Sequence, residues 1–135
     1  MTENILLEIE IKIDNITEIH GGSKSVSIVY FSGNASSHFF TGKVMSGAAD
    51  TQIHYKDRPA ELSARYILEG VDCENNDCKI FIENNGAEMG GSIITTPSII
   101  TDSPALKWLE TTDLSGEVIS KNGNVIIRIY GEKRK

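Results

Sequence analysis

The chain has 135 residues, 39% of them hydrophobic, and a formal net charge of −6. That length suits one domain, residues 1–135, whose core needs no disulfide or metal staples. The acidic balance argues against nucleic acid and anionic membranes as partners, because phosphate binding runs on clustered Lys and Arg; the closing Lys133-Arg134-Lys135 reads as a solvated tail.

In chain order, Ile5 to Ile13 is the clearest strand. Ile5, Leu7, Ile9, Ile11 and Ile13 share one face, and Leu6, Glu8, Glu10 and Lys12 share the other, so one side belongs on a core and the other in water. Glu8, Glu10 and Lys12 also interrupt the apolar segment that a secretory signal would require. No run approaches the ~20 apolar residues of a membrane helix. The expectation is a cytoplasmic protein with no membrane span. Gly21-Gly22-Ser23 breaks the chain after residues 14–20. Ser25 to Ser32 is a second strand, rich in β-branched and aromatic residues, followed by a Gly33-Asn34 turn signal. His38 to Met45 and Asp50 to Tyr55 are expected to form a hairpin around residues 46–49, closed by Asp57-Arg58-Pro59.

Glu61 to Gly86 reads as two antiparallel strands joined by a polar connection. Asp72, Glu74, Asn75, Asn76 and Asp77 favour a turn because their short side chains bond back to nearby backbone. With Cys73 facing Cys78, Tyr66 would oppose Asn85 and Leu68 would oppose Glu83, giving strands of mixed faces that suit a barrel wall with a partly polar lumen. The two cysteines are expected as free thiols or a labile pair, since a cytosolic setting keeps thiols reduced. Gly90-Gly91 marks another break before the strand Ser92–Thr101, where Pro97 lacks a backbone donor and therefore belongs at an edge, bulge or bend. Residues 103–110 form the one short helix, with Asp102 or Ser103 as cap and Pro104 at its first position. At barely two turns it must be held by packing of Leu106, Trp108 and Leu109. Leu114–Lys121 and Asn124–Tyr130 close the chain as a hairpin around Asn122-Gly123.

Eight or nine strands joined mostly by short turns predict an all-β fold: an antiparallel up-and-down barrel of about eight strands with one short helix. Closure removes exposed sheet edges. Several segments carry a resemblance over the last two-thirds of the chain: Phe40-Thr41-Gly42 through Gly47-Ala48-Ala49-Asp50, Ala64-Arg65-Tyr66, Glu83-Asn84-Asn85-Gly86, Thr95-Thr96-Pro97 and Trp108-Leu109. In that order and spacing the chain resembles the bacterial domain-of-unknown-function family 3237. The resemblance implies a small barrel similar to calycin-like and allene-oxide-cyclase-like folds, with no settled biochemical role. Thr51 stands where the family pattern has an aromatic residue, and Ile94 stands where it has Arg.

Asp50, Arg65, Tyr66, Glu83 and Asn84 match that pattern and are expected to converge at one barrel end. A carboxylate beside a guanidinium with a phenol nearby binds a polar ligand or steers protons; the plain alternative is an internal ion pair that satisfies buried groups. Trp108 either lines a ligand pocket or plugs a barrel end. His38 and His54 with Asp50 or Asp57 lack the dense spacing of a metal site, so neither a metal nor another cofactor is expected. No Ser sits in a Gly-x-Ser-x-Gly turn, and catalytic residues are not assigned. The first functional reading is small-molecule binding in the lumen. The second is a cofactor-free cyclase or isomerase with Asp50 or Glu83 as acid/base, Arg65 holding an anion or carbonyl, and Tyr66 donating a proton. The third is a homo-oligomeric structural module without a ligand.

Overall fold

The computed structural model describes residues 4–89 and 92–131. The Gly90-Gly91 break and the Lys133–Lys135 tail lie outside those residues. Nine antiparallel strands follow one another: β1 Asn4–His20, β2 Lys24–Ser36, β3 Phe40–Val44, β4 Ala49–Tyr55, β5 Glu61–Asp72, β6 Asp77–Met89, β7 Ser92–Thr101, β8 Ser115–Lys121 and β9 Asn124–Gly131. Consecutive strands pair except β3 and β4, which both lie between β2 and β5, and β1 pairs with both β2 and β9, so the sheet closes on itself. Among the described residues no helix is long and apolar enough to cross a membrane.

The expected β3–β4 hairpin does not form. Both strands run antiparallel to β2 and to β5, β3 against Asn34–Ser36 and β4 against Lys24–Tyr30. They are two collinear pieces of one lane, interrupted at residues 45–48, which makes the ring eight lanes wide. The break around Gly47, at φ 98°, interrupts the ladder without reversing the chain. Two glycines face each other beside this break: a Cβ on Gly70 would sit 2.1 Å from the Thr41 carbonyl oxygen, and one on Gly42 would sit 2.3 Å from the Glu69 carbonyl oxygen. The Phe40 side chain lies against Gly42 in the space these two positions leave.

β1 is longer than its alternation suggests. A register shift at Leu6 against β9 buries Leu6 and Leu7 together and leaves Ile5 exposed. A second shift, between Ile13 and Asn15, carries the strand on to His20 against β2. The Gly33-Asn34 turn signal falls inside β2, where Gly33 lets the Glu10 carbonyl approach a position no side chain could share. Asn122 and Gly123, both at positive φ, form the expected β8–β9 turn. The β7–β8 ladder stops at Thr95, two residues before Pro97, so the missing proline donor disturbs no pairing there.

The β5–β6 register differs from the expected one by three residues: Tyr66 opposes Ile82, Arg65 opposes Glu83, and Gly70 opposes Cys78. Asp72 sets it. Its Oδ1 accepts from the Glu74 and Asn76 amides at 2.9 and 3.1 Å, closing the turn four residues wide with Asn75 at φ 66°. The odd shift sorts the faces cleanly: Ala64, Tyr66, Leu68, Ile80, Ile82 and Asn84 are buried, while Arg65, Glu69 and Lys79 point outward. Cys73 sits exposed in the turn and Cys78 is buried. Both thiols are free, and burial together with the Asp72 charge pushes Cys78 up to about 11.

Residues 104–110 form a 3₁₀ helix, and Ser103 does not cap it. Its hydroxyl instead donates to Asp72 Oδ2 at 2.7 Å, while Asp102 accepts from the Lys79 amide. Leu106 and Leu109 are fully buried, each worth about 1.5–3 kcal/mol, which holds an element too short to stand alone. Beneath it Leu7, Ile9, Phe40, Leu68, Ile80, Ile82 and Ile129 fill that half of the barrel.

Gly70→Ala is expected to cost about 1–3 kcal/mol through forced wall displacement, read by chemical denaturation. The Ser103 hydroxyl and turn amides hold the Asp72 carboxyl below its ordinary 3.8. Its contribution is therefore complete above that value and is lost as pH falls through the folded value. Asp72→Asn should melt earlier than wild type at pH 7, and the gap should close on acidification.

Candidate functional site

Moving along the strands away from the helix, inward side chains stop meeting across the barrel. A cavity of about 300 Å³ opens in this half. The bulge beyond Ile13 changes the phase of β1, so Ile13 and Ile16 both turn toward it, facing Val29 and Phe31 of β2. Leu62, Ile93, Val118, Val125 and Ile127 complete apolar walls from β5, β7, β8 and β9.

The polar groups gather on one side of the cavity. Asp50, Ala64 and Asn84 are cross-strand neighbours on β4, β5 and β6, which places the two polar side chains about 9–10 Å apart with only a methyl group between them. Tyr66 is one inward step deeper on β5, and its ring meets Phe31 edge-on at 5.4 Å. Thr95 stands on β7 opposite Gly86 and Gly116. A Cβ at Gly116 would come within 2.4 Å of the Thr95 hydroxyl. Four buried atoms here, Asp50 Oδ1, Tyr66 Oη, Asn84 Oδ1 and Thr95 Oγ1, have no hydrogen-bond partner among the described residues. Asn84 is only 3% exposed, so bulk water does not reach its amide freely. Buried polar atoms without partners cost about 1–3 kcal/mol each.

Asp50 is the one charged side chain among the described residues lining the cavity. Burial raises its pKa, and the Gln52 side-chain amide, donating at 2.9 Å, and the Ser63 amide pull it partly back. The Tyr66 phenol is raised as well, first by burial and then by the Asp50 charge, and stays protonated. A carboxyl that takes up a proton readily thus lies near a phenol that keeps its own, above apolar walls.

The residues singled out from sequence divide into three places. Asp50 and Asn84 line the cavity, and Tyr66 lies one step deeper on β5, near enough for the Asp50 charge to act on its phenol. Arg65 and Glu83 do not line it: they pair at 2.7 Å on the outer wall, with side chains 70% and 31% exposed, because the turn set by Asp72 puts both on the outward phase. Trp108 lies at the opposite end, half-buried against the core and edge-on to Phe39 at 5.0 Å, where it helps to plug the barrel. His54, on β4, pairs with Ser25 of β2, whereas His38 precedes β3 at the other end of the same lane. The described residues hold no group of three or more metal-ligating side chains. Thr95, Gln52 and the apolar walls were missed from sequence. The β1 alternation pointed at Ile11 and Ile13, but nothing in sequence signals the bulge that adds Ile16.

Asp50→Asn should stabilise the protein at pH 7. Between the unfolded value near 3.8 and the raised folded value, the native carboxyl holds a proton that the unfolded chain has released. Stability is therefore lost as pH rises through that window, and the neutral amide escapes the loss. Thermal melts should show the variant a few degrees above wild type at pH 7, with the difference vanishing toward pH 4.

Known proteins bear on this geometry in three ways. The chain is 34% identical over 110 residues to a UPF0311 protein of Clostridium acetobutylicum, covering 68% of this chain and 66% of the relative. It is similar to the crystal structure of a protein with unknown function from Clostridium acetobutylicum ATCC 824, at a TM-score of 0.83 and 27% identity, covering 97% and 99% of the two chains. A beta-barrel like protein from Acinetobacter baumannii AYE aligns at 0.78 and 17% over 96% and 94%. An enzyme from Penicillium herquei aligns at 0.74 and 13% over 95% and 93%; at those identities the likeness is one of fold. The family match itself covers residues 1–92, so it takes in the opening strands and stops short of Thr95-Thr96-Pro97 and Trp108-Leu109, unlike the resemblance drawn from the later segments. With the barrel and this extent of match together, the chain belongs to the family described as Protein of unknown function (DUF3237).

Proposed function

We propose that the chain binds a small, neutral, largely apolar molecule bearing hydroxyl or amide donors in the cavity opposite the helix. The observation that carries this reading is the cluster of four buried, unpartnered polar atoms on β4 to β7. No group among the described residues pairs with these four atoms, and a bound molecule with matching groups would. The volume lies at the lower end of the ~300–1,000 Å³ range of ligand pockets. A carboxylate ligand is disfavoured, since the charged lining group is Asp50 and Arg65, first read as holding an anion or carbonyl, lies outside.

A second reading, a cofactor-free isomerase or cyclase, draws on a separate observation: the raised Asp50 carboxyl stands near the protonated Tyr66 phenol. Asp50 would accept a proton from the bound molecule and Tyr66 would return one, the proton held by Asp50 then passing to the phenolate to restore both groups, with the walls holding a reactive conformation. That the Penicillium herquei structure of this fold is described as an enzyme is compatible with it.

Thermal shift and calorimetric titration with menthol and naphthol, against naphthoic acid as the charged counterpart, test the binding reading. The neutral alcohols should raise the melting midpoint and the carboxylate should not. Asn84→Leu and Thr95→Val should weaken the response by about tenfold each, the cost of one lost buried hydrogen bond. No shift with any neutral compound, or an undiminished shift in both variants, sinks it. For the second reading, turnover of a bound compound should vanish in Asp50→Asn and Tyr66→Phe while binding persists.

A further inference from the structure

The outer wall carries an arrangement that the cavity does not use. Ile67, Phe81 and Ile100 are cross-strand neighbours on β5, β6 and β7, and they form one apolar row on the outer face. Ile100 is 62% exposed and Ile67 37%. Single exposed apolar side chains are ordinary, whereas a contiguous row marks a contact surface. On either side of the row lies an ion pair of opposite sense: Arg65 on β5 with Glu83 on β6 at 2.7 Å, and Glu69 on β5 with Lys79 on β6 at 3.5 Å. Exposed pairs of this kind add only about 0–1 kcal/mol to a monomer.

We propose that this face is where two copies of the chain pair. Along β5 the outward order is positive, apolar, negative; across from it on β6 the order is negative, apolar, positive. A two-fold axis lying in the wall parallel to the strands sets Arg65 against the second copy's Glu83, Lys79 against the second copy's Glu69, and Ile67 against the second copy's Phe81. An axis across the strands sets Arg65 against the second copy's Glu69 and Lys79 against the second copy's Glu83. Under either axis every charge meets its opposite and the apolar rows meet each other, so the patch is complementary to itself, as an isologous interface requires. A depression of about 520 Å³ lined by Lys43, Glu69, Lys79 and Asp102 borders the row and offers a hollow for projecting side chains. The other candidate surface, the β1 edge beyond Ile11 that β9 leaves unpaired, carries a bulge, Lys12, Asp14 and Glu18, the devices that keep sheet edges from pairing.

Sedimentation velocity of the full chain from about 1 to 500 μM, the range over which a modest interface assembles, should show a reversible monomer–dimer equilibrium. Ile100→Glu and Arg65→Glu should each weaken it by about tenfold or more while leaving unchanged the melting midpoint measured at the dilute, monomeric end of that range, because both side chains stand in solvent in the monomer. Reversing all four charges together (Arg65→Glu, Glu69→Lys, Lys79→Glu, Glu83→Lys) should restore self-association yet abolish mixing with the wild-type chain. A wild type that stays monomeric throughout, a dimer indifferent to Ile100→Glu, or one lost only on Thr17→Pro at the β1 edge overturns the proposal.

Discussion

Pairing of β1 with β9 is the interaction on which the rest of this molecule depends. It turns a meander with two free edges into a ring, and only in a ring does the two-residue alternation of every strand acquire an inside and an outside. Residues 4–11 of β1 make that closure against β9. The seam also explains the Leu6 irregularity. Shifting register there buries two consecutive leucines, Leu6 and Leu7, beneath the incoming helix, where the barrel end would otherwise be poorly filled.

The interior is divided by how far each strand lies from the helix. Near it, branched and aromatic side chains meet across the axis and leave no room, and Leu106 and Leu109 seal the end. Farther along, small or short residues take over: Ala64 between Asp50 and Asn84, and Gly86 and Gly116 on either side of Thr95. Space and unpartnered polar atoms therefore arise together, from the same substitution of small residues for large ones. Close-packed interiors ordinarily fill such volume and pair such groups, and that departure is what supports the proposed ligand.

The outer wall obeys a different economy. Its ion pairs are too exposed to matter much for folding, and its apolar row is what supports the proposed pairing of two copies. Placing Arg65 and Glu83 there moves them from the chemistry of the cavity to the question of what the wall touches. The division follows from one turn: the Asp72 carboxylate, held by two amides and by Ser103, fixes a four-residue reversal whose register decides which residues of β5 and β6 face in.

Local pattern by itself determined a good deal. Strand count, the short helix, the Asn122-Gly123 turn, the position of Pro97 and the closed antiparallel class were all legible, because alternation, turn residues and the proline's missing donor act over a few residues. Two of the candidate residues, Asp50 and Asn84, lie on the cavity lining. What sequence could not carry was phase. A bulge at Leu6 or beyond Ile13, a three-residue change of register at Asp72, or a break without reversal at Gly47 leaves composition and alternation untouched, yet each alters which side chains share a face or a lane. Such offsets are decided by pairing and packing between distant segments, so Arg65 and Glu83 came to rest outside, His38 and His54 at opposite ends of one lane, and Ile16 at the cavity. The tertiary structure alone decided them, because only closure makes one register cheaper than the next.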